Sequence, residues 1–398
     1  NLYASQIYDF QTEKFIEKLN LSILSVNSFD KDIKFKIIKD DFPNAYVTED
    51  STIYLSSGLL VYSPDYVSLL GVLAHEIGHI EKYHVAKRKR EIKNLKDINS
   101  FGNLAAIVGS MIIREPNLIN ALVFNQTTIN NMYISFSQQQ EIEADFYAVE
   151  TINNLNLPTD SIKEFLVLLE NKTKFDLLDD ELKKFSTHPL FEDRQKILDF
   201  KNNKKNYKYN NKIQKNFEFI KAKFMAYTDS GFVEKLEGDP KIYYDSIQFS
   251  KSGNLKDSLK KLNLLISNNN NLFLIETKAD ILLSFGYNKE AINFYKQVLK
   301  IQPQNNYVKY NIFTNMKFTK NDDYFNKKIF LDNLNLIRIF PNNNVLISKY
   351  HYLSKLLKFD EWILFFEILL LEKDNFIKKL NQLKNNTEDY NLKKIIKI

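Results

Sequence analysis

Hydrophobic positions along the first half of the chain change period several times, and each change marks an element. Apolar residues from about Ile7 to Leu19 recur at helical spacing and predict a first helix, followed by a strand around Ile33 to Ile38. Pro43-Asn44-Ala45-Tyr46-Val47 and Thr52-Ile53-Tyr54-Leu55 predict two short strands, with Glu49-Asp50-Ser51 as the turn between them. Ser63-Pro64-Asp65 has the form of a helix start: serine as N-cap, proline at the first helical position and an acid in the first turn. The helix it opens carries Val72, Leu73, Ile77 and Ile80 and is expected to run beyond Lys87. A long helical pattern spans about Leu118 to Asn154 and stops at Asn156-Leu157-Pro158, and another helix follows Thr159-Asp160. The Asn/Lys-rich stretch from Lys201 to Lys215 predicts a solvated loop.

Beyond Pro240 the pattern changes. Gly253-Asn254-Leu255, followed by Ser258-Leu259, recurs 33 residues later as Gly286-Tyr287-Asn288, followed by Ala291-Ile292. Each copy leads into a helix (Leu259 to Ile266, Ile292 to Ile301), and the second ends at Gln302-Pro303. Small residue, turn, small residue and terminal proline at a period near 34 describe the helix-turn-helix of a tetratricopeptide repeat. Less regular units continue around Asn321-Asp322-Asp323 up to Pro341, and around Phe359-Asp360. Such repeats stack into a superhelix with a concave protein-binding surface.

Composition narrows the chemistry. The 398 residues are 44% hydrophobic and 26% charged, which fits a globular chain with more than one core. There are no cysteines, so disulfides, thiolate metal sites and a cysteine nucleophile are excluded, and any zinc must be held by histidine and carboxylate. The net charge of +6 is diffuse, and no aromatic platform or groove motif accompanies the basic stretches, so no nucleic-acid partner is expected. The longest apolar stretch, Phe101 to Ile113, falls well short of the roughly 20 residues that span a bilayer. The Lys/Arg-rich run from Lys82 to Lys96 reads as a solvated helix face, with peripheral contact to anionic lipid through Lys87 to Ile113 as the alternative. No signal peptide is visible in a chain that begins at Asn1, which leaves export open.

The candidate chemistry centres on His75-Glu76-Ile77-Gly78-His79. Residues four apart share one helix face, so His75 and His79 converge on one ion, and Glu76 beside them is placed to take a proton from a metal-activated water. A catalytic zinc uses three protein ligands and keeps one position open. Glu141, on the later helical stretch, completes that count, and Asp145 one turn further on is placed to accept the free ring N–H of a ligand histidine. Glu143 lies about 160–200° around that helix from both and reads as a solvated acid. His188, held extended before Pro189, and Arg194 are candidates to stabilise a developing oxyanion; alternatively His188 fills the fourth zinc position and holds the site inactive. His84 and His351 read as structural.

HEIGH at 75–79, EIEAD at 141–145 and STHP at 186–189 followed by Arg194 resemble the peptidase family that contains HtpX and the CAAX prenyl proteases. Asn44-Ala45-Tyr46 and Ser57-Gly58-Leu59-Leu60 are similar to its NAF…GLL pattern, in which an edge strand holds substrate by β-addition, although Glu49-Asp50-Ser51 stands where that pattern has a glycine-rich turn. The resemblance implies one zinc per chain on His75, His79 and Glu141, Glu76 as the base, and His188 as a regulator of access to the metal. Joined to repeats, the chain resembles the BepA-type periplasmic branch, which acts in outer-membrane protein assembly and quality control. The expected architecture is mainly α: a zinc metallopeptidase domain with a small β-sheet over residues 1–235, then an α-solenoid of tetratricopeptide repeats over 236–398. The expected function is a zinc endopeptidase that degrades or processes misfolded or assembling envelope proteins, its repeats docking substrate or the outer-membrane assembly machinery. The alternative is a repeat-scaffold chaperone whose zinc-bound peptidase domain is held off or inactive.

Overall fold

The structure is a computed structural model that describes residues 6–27, 32–87, 138–175, 197, 207–228, 235–268, 271–320, 322–341, 343–370 and 376–396. The chain divides into two compact units, Asn1–Asp245 and Ser246–Ile398. Helices dominate both, with one small sheet in the first, in line with the architecture expected from the sequence. Among the described residues no helix is long and apolar enough to cross a membrane.

The first unit opens with β1 (Gln6–Ile7), which pairs antiparallel with β2 (Lys34–Ile38). Ile7 therefore belongs to the sheet, opposite Ile37, and helix α1 starts later than the periodicity suggests, covering Phe10–Val26. The reason is a cap: Asp9 accepts from the Thr12 backbone N–H at 2.8 Å and from the Thr12 hydroxyl at 2.6 Å. Its other carboxylate oxygen meets the buried Lys223 ammonium of α6 (Asn211–Thr228), 214 residues away. β3 (Ala45–Val47) and β4 (Thr52–Ser56) form a hairpin closed at Ser51, whose φ of 58° is the left-handed region such a turn needs. The sheet order is β1-β2-β4-β3, with β2 and β4 parallel and β3 at one edge.

On this sheet sit α2 (Ser57–Tyr62) and α3 (Tyr66–Glu81). Ser63 does not cap α3; it closes α2, its hydroxyl donating to the Leu59 carbonyl at 2.7 Å. The cap of α3 is Asp65, which accepts from the Ser68 backbone N–H at 2.8 Å while its own N–H donates to the Ser68 hydroxyl. Asp65 also accepts from Ser161 at 2.7 Å, tying α3 to α5 (Asp160–Phe175). Fourteen of the sixteen residues of α3 are buried, polar ones included, because it is enclosed by α1, β3, α4 (Gln138–Asn154) and α5.

The second unit is a series of helices: the end of α7 (Gly238–Lys251), α8 (Leu255–Asn268), α9 (Leu272–Ser284), α10 (Asn288–Ile301), α11 (Asn306–Asn315), α12 (Asp323–Asp332), α13 (Asn335–Ile339), α14 (Asn344–Leu357), α15 (Asp360–Leu370), α16 (Phe376–Asn386) and α17 (Tyr390–Ile396). Gly253 and Gly286 end α7 and α9 with the same φ of 82°. Each is followed by a residue whose N–H reaches back five positions, Asn254 to Phe249 at 2.8 Å and Tyr287 to Leu282 at 2.9 Å. That bonding is the Schellman motif, and its left-handed residue is why glycine recurs. Ser258 and Ala291, Leu262 and Tyr295, and Leu265 and Val298 are buried pairs at the same 33-residue offset.

Burial opposes an ionised Asp9, but the Lys223 ammonium and Thr12 outweigh it and hold its carboxyl below the ordinary value. A depressed carboxylate contributes stability that is complete above its unfolded pKa, about 3.9, and disappears as pH falls through the folded value. Asp9→Asn is therefore expected to cost about 3–5 kcal/mol in urea unfolding at pH 7, because it strands a buried ammonium without its carboxylate. The gap from wild type should narrow only below about pH 4. An equal gap at pH 7 and at acid pH would remove the ion pair as the cause.

Candidate metal centre

The centre is built where α3 and α4 run closest. A Cβ placed on Gly78 would lie 3.1 Å from Tyr147 Cβ and 3.2 Å from Ala144 Cα, so a side chain here would need its neighbours to give by a few tenths of an ångström, and glycine allows the close approach. Ala144, itself fully buried, supplies the small face on the other side. Glu141 lies just short of one turn before Ala144, and Gly78 lies between His75 and His79, so this contact sets the carboxylate against both rings.

Two ring nitrogens and the two oxygens of one carboxylate converge there. His75 Nε2 and His79 Nε2 are 3.1 Å apart, and the Glu141 carboxylate approaches them at 3.3 and 3.5 Å. Among the described residues these three form the group able to hold a metal ion, and all are buried. The second ring nitrogen of His75, Nδ1, is 2.8 Å from Asp145 Oδ1. Glu76 is 1% exposed, so three carboxylates (Glu76, Glu141, Asp145) are enclosed by two helices. Burial works against a charged His75 ring, yet the hydrogen bonds to Asp145 and Glu141 outweigh it and push its pKa up to about 10. The pocket is thus electrostatically built to attract a positive charge.

A further pair of side chains reaches the centre. The chain leaves α3 at Lys82, turns through Tyr83 with φ 57° and re-enters helical conformation at His84. His84 is fully buried, with Nδ1 2.9 Å from His79 Nδ1 and Nε2 3.1 Å from Glu143 Oε2. Burial pushes the His84 ring towards its neutral form, against the pull of Glu143.

Comparison with known proteins places this arrangement. The profile of Peptidase family M48 matches residues 11–200, a span that takes in β2 to β4, α3 and α4. Residues 11–200 are an M48 peptidase domain. The beta-barrel assembly-enhancing protease of Escherichia coli K12 is 27% identical over 192 residues, which cover 48% of this chain and 39% of that protein. The protein of the same name from Yersinia pestis matches to the same extent. A putative beta-barrel assembly-enhancing protease from Vibrio cholerae is 26% identical over 193 residues. The chain therefore matches about two fifths of the length of these curated relatives.

Within the M48 domain, His75, Glu76 and His79 lie on α3 and Glu141 and Asp145 on α4. Asn44, Ala45 and Tyr46 lie at the edge of the sheet, in and just before β3, which packs against α3. His188 and Arg194 lie outside the described residues, as do Phe101 to Ile113 and most of the basic run. Two residues set aside in the sequence, His84 and Glu143, stand at the centre. On a continuous helix His84 would point about 140° away from His79. The left-handed Tyr83 breaks that phase, and a tyrosine, unlike glycine or asparagine, carries no signal for such a break.

Gly78→Ala tests the role of the close approach. The new methyl forces α3 and α4 apart by a few tenths of an ångström. About 1 kcal/mol of helix propensity is gained, against roughly 1–3 kcal/mol of overpacking. Global stability is thus expected to shift by about 2 kcal/mol or less, while affinity for a divalent transition metal falls roughly tenfold. Equal losses in both would mean that Gly78 serves the core and not the centre.

Proposed function

We propose that the M48 domain is a zinc endopeptidase, with His75, His79 and Glu141 as the metal ligands and Glu76 as the general base. The observation that carries this is the convergence of two ring nitrogens and one carboxylate at ligand spacing. Bonds of about 2.0–2.1 Å to zinc place tetrahedral ligand atoms about 3.3 Å apart. The two ring nitrogens are 3.1 Å apart, and Glu141 stands 3.3 Å from His75 Nε2 through Oε2 and 3.5 Å from His79 Nε2 through Oε1, so either carboxylate oxygen can complete such a set. Two nitrogens and one oxygen favour zinc over magnesium or calcium, which take oxygen donors. The enclosed carboxylates supply the negative charge that a divalent cation balances.

A zinc ion held there supplies Lewis acidity, lowering the pKa of water and polarising a peptide carbonyl. The chain's own residues do the rest. Asp145 accepts the His75 Nδ1–H, which leaves the Nε2 lone pair facing the centre. Glu76, next to His75 on the same buried helix, takes a proton from the attacking water and returns it to the leaving amine. β3 is the edge strand beside α3, so an extended substrate added along Asn44, Ala45 and Tyr46 would run next to the ligand helix.

The substrates in this reading are unfolded or assembling envelope proteins, with outer-membrane β-barrel proteins the first class to test, and the compartment is the periplasm. It is supported by the relatives named beta-barrel assembly-enhancing protease and by the repeats. Residues 236–398 are read as a tetratricopeptide solenoid that docks substrate or assembly machinery, supported by the paired Schellman turns and buried pairs at a 33-residue offset. The proposed boundary falls at the start of α7, and the compact units divide within it.

Metal analysis of the purified chain should find one zinc, and an unfolded protein substrate should be cleaved. Glu76→Gln should keep the zinc and lose cleavage by about 100- to 10,000-fold. Zinc bound equally, with wild type and variant both inert on every unfolded substrate, would overturn the enzyme reading in favour of a held-off binding protein.

A further inference from the structure

We infer that His84 and Glu143 are positioning residues that fix the tautomer and ring orientation of His79, acting in series. The inference rests on the reading of His75, His79 and Glu141 as a zinc site. A ligand histidine must present a bare nitrogen to the metal and place its other N–H on an acceptor. His75 does this directly, through Nδ1 and Asp145 at 2.8 Å. For His79 the atom 2.9 Å from Nδ1 is another imidazole nitrogen, His84 Nδ1, which either donates or accepts.

Glu143 resolves that choice. Its carboxylate lies 3.1 Å from His84 Nε2 and can only accept, so Nε2 carries the His84 proton. In a neutral His84 ring Nδ1 is then an acceptor, and the proton between the two rings belongs to His79 Nδ1. His79 Nε2 is thereby left bare, 3.1 Å from His75 Nε2 and facing Glu141. Every proton has one place: Glu143 accepts from His84, and His84 accepts from His79. If the His84 proton sat on Nδ1 instead, His79 would carry its proton on Nε2 and could not ligate. Gln139 Nε2, donating to the other Glu143 oxygen at 3.2 Å, steadies the carboxylate at the end of the relay. Tyr83, by its left-handed φ of 57°, is what brings His84 back against His79.

The test is zinc affinity of the full chain by chelator competition, with the absorption spectrum of the cobalt(II)-substituted protein as a second readout. Removing outer partners of ligand histidines costs 10- to 100-fold in affinity. His84→Phe, which keeps a ring but no nitrogen, and Glu143→Ala are each expected to weaken zinc about 10- to 100-fold and to shift the cobalt spectrum. His84→Gln, which can accept from His79 and donate to Glu143, should recover most of the affinity. A relay in series also makes the double variant no weaker than His84→Phe alone. His351→Ala, in the second unit, should leave affinity unchanged.

Unchanged affinity and spectrum in both single variants, with wild type holding zinc, overturn the relay. Additive losses overturn the serial connection. A wild type that holds no zinc overturns the site reading itself. Should His84→Phe fail to fold, Glu143→Ala carries the decision, since that side chain is 37% exposed and its removal leaves the core intact.

Discussion

The first unit depends on how closely two helices can pass. α3 and α4 approach until a single methyl at Gly78 would press on the backbone of Ala144. Interiors pack at crystal-like density, so such a contact has a definite distance and little freedom to slide. A carboxylate at position 141 and rings at 75 and 79 project from either side of it, and their separations follow from the backbone rather than from flexible side-chain reach. The capping box at Asp65, with Ser161 bonded to the same carboxylate, anchors the start of α3 and stops the helix shifting along its axis. A site that holds a metal to within about 0.2 Å needs this kind of scaffold.

That closeness has an electrostatic consequence. Glu76, Glu141 and Asp145 are all more than nine-tenths buried, and carboxylates are seldom enclosed without compensation. Two of them, Asp145 and Glu141, hydrogen-bond to His75 and draw its ring towards protonation against the effect of burial. A divalent cation meets the same demand while leaving both imidazoles neutral. A cation bound at the centre would therefore link metal binding to the stability of this unit.

Much of this was legible in the sequence where local rules govern. Strands β2 to β4, the helix bearing HEIGH, its partner bearing Glu141 and the two glycine-closed repeat turns all follow from periodicity, spacing and turn chemistry. The misreadings arise where tertiary structure reassigns a residue. Ser63 is a good N-cap by type, but α2 uses its hydroxyl, so the role passes to Asp65. Ile7 fits a helical stripe, but Ile37 claims it for the sheet. His84 appears out of phase because phase was counted along a helix that Tyr83 interrupts. Lys358 ends α14 with φ 56°, and the Phe359 N–H reaches back to Ser354 as in the glycine-closed turns, so the unit read around Phe359-Asp360 looks less regular in sequence because lysine stands where the first two units have glycine.

The arrangement on α4 shows why a pattern such as E-x-E-x-D carries more than its end residues. Glu141 and Asp145 share a face and act on the two helical histidines, and spacing alone identifies them. Glu143 faces away from both, and on an isolated helix it would be a solvated acid. What changes its role is a ring delivered from beyond the end of the neighbouring helix, long enough to span from His79 to the flank of α4. The intervening imidazole converts an acceptor on the wrong face into one that still specifies the proton on a buried histidine. Acceptors for the rings of His75 and His79 thus come from one helix by routes of different length, one direct and one through His84.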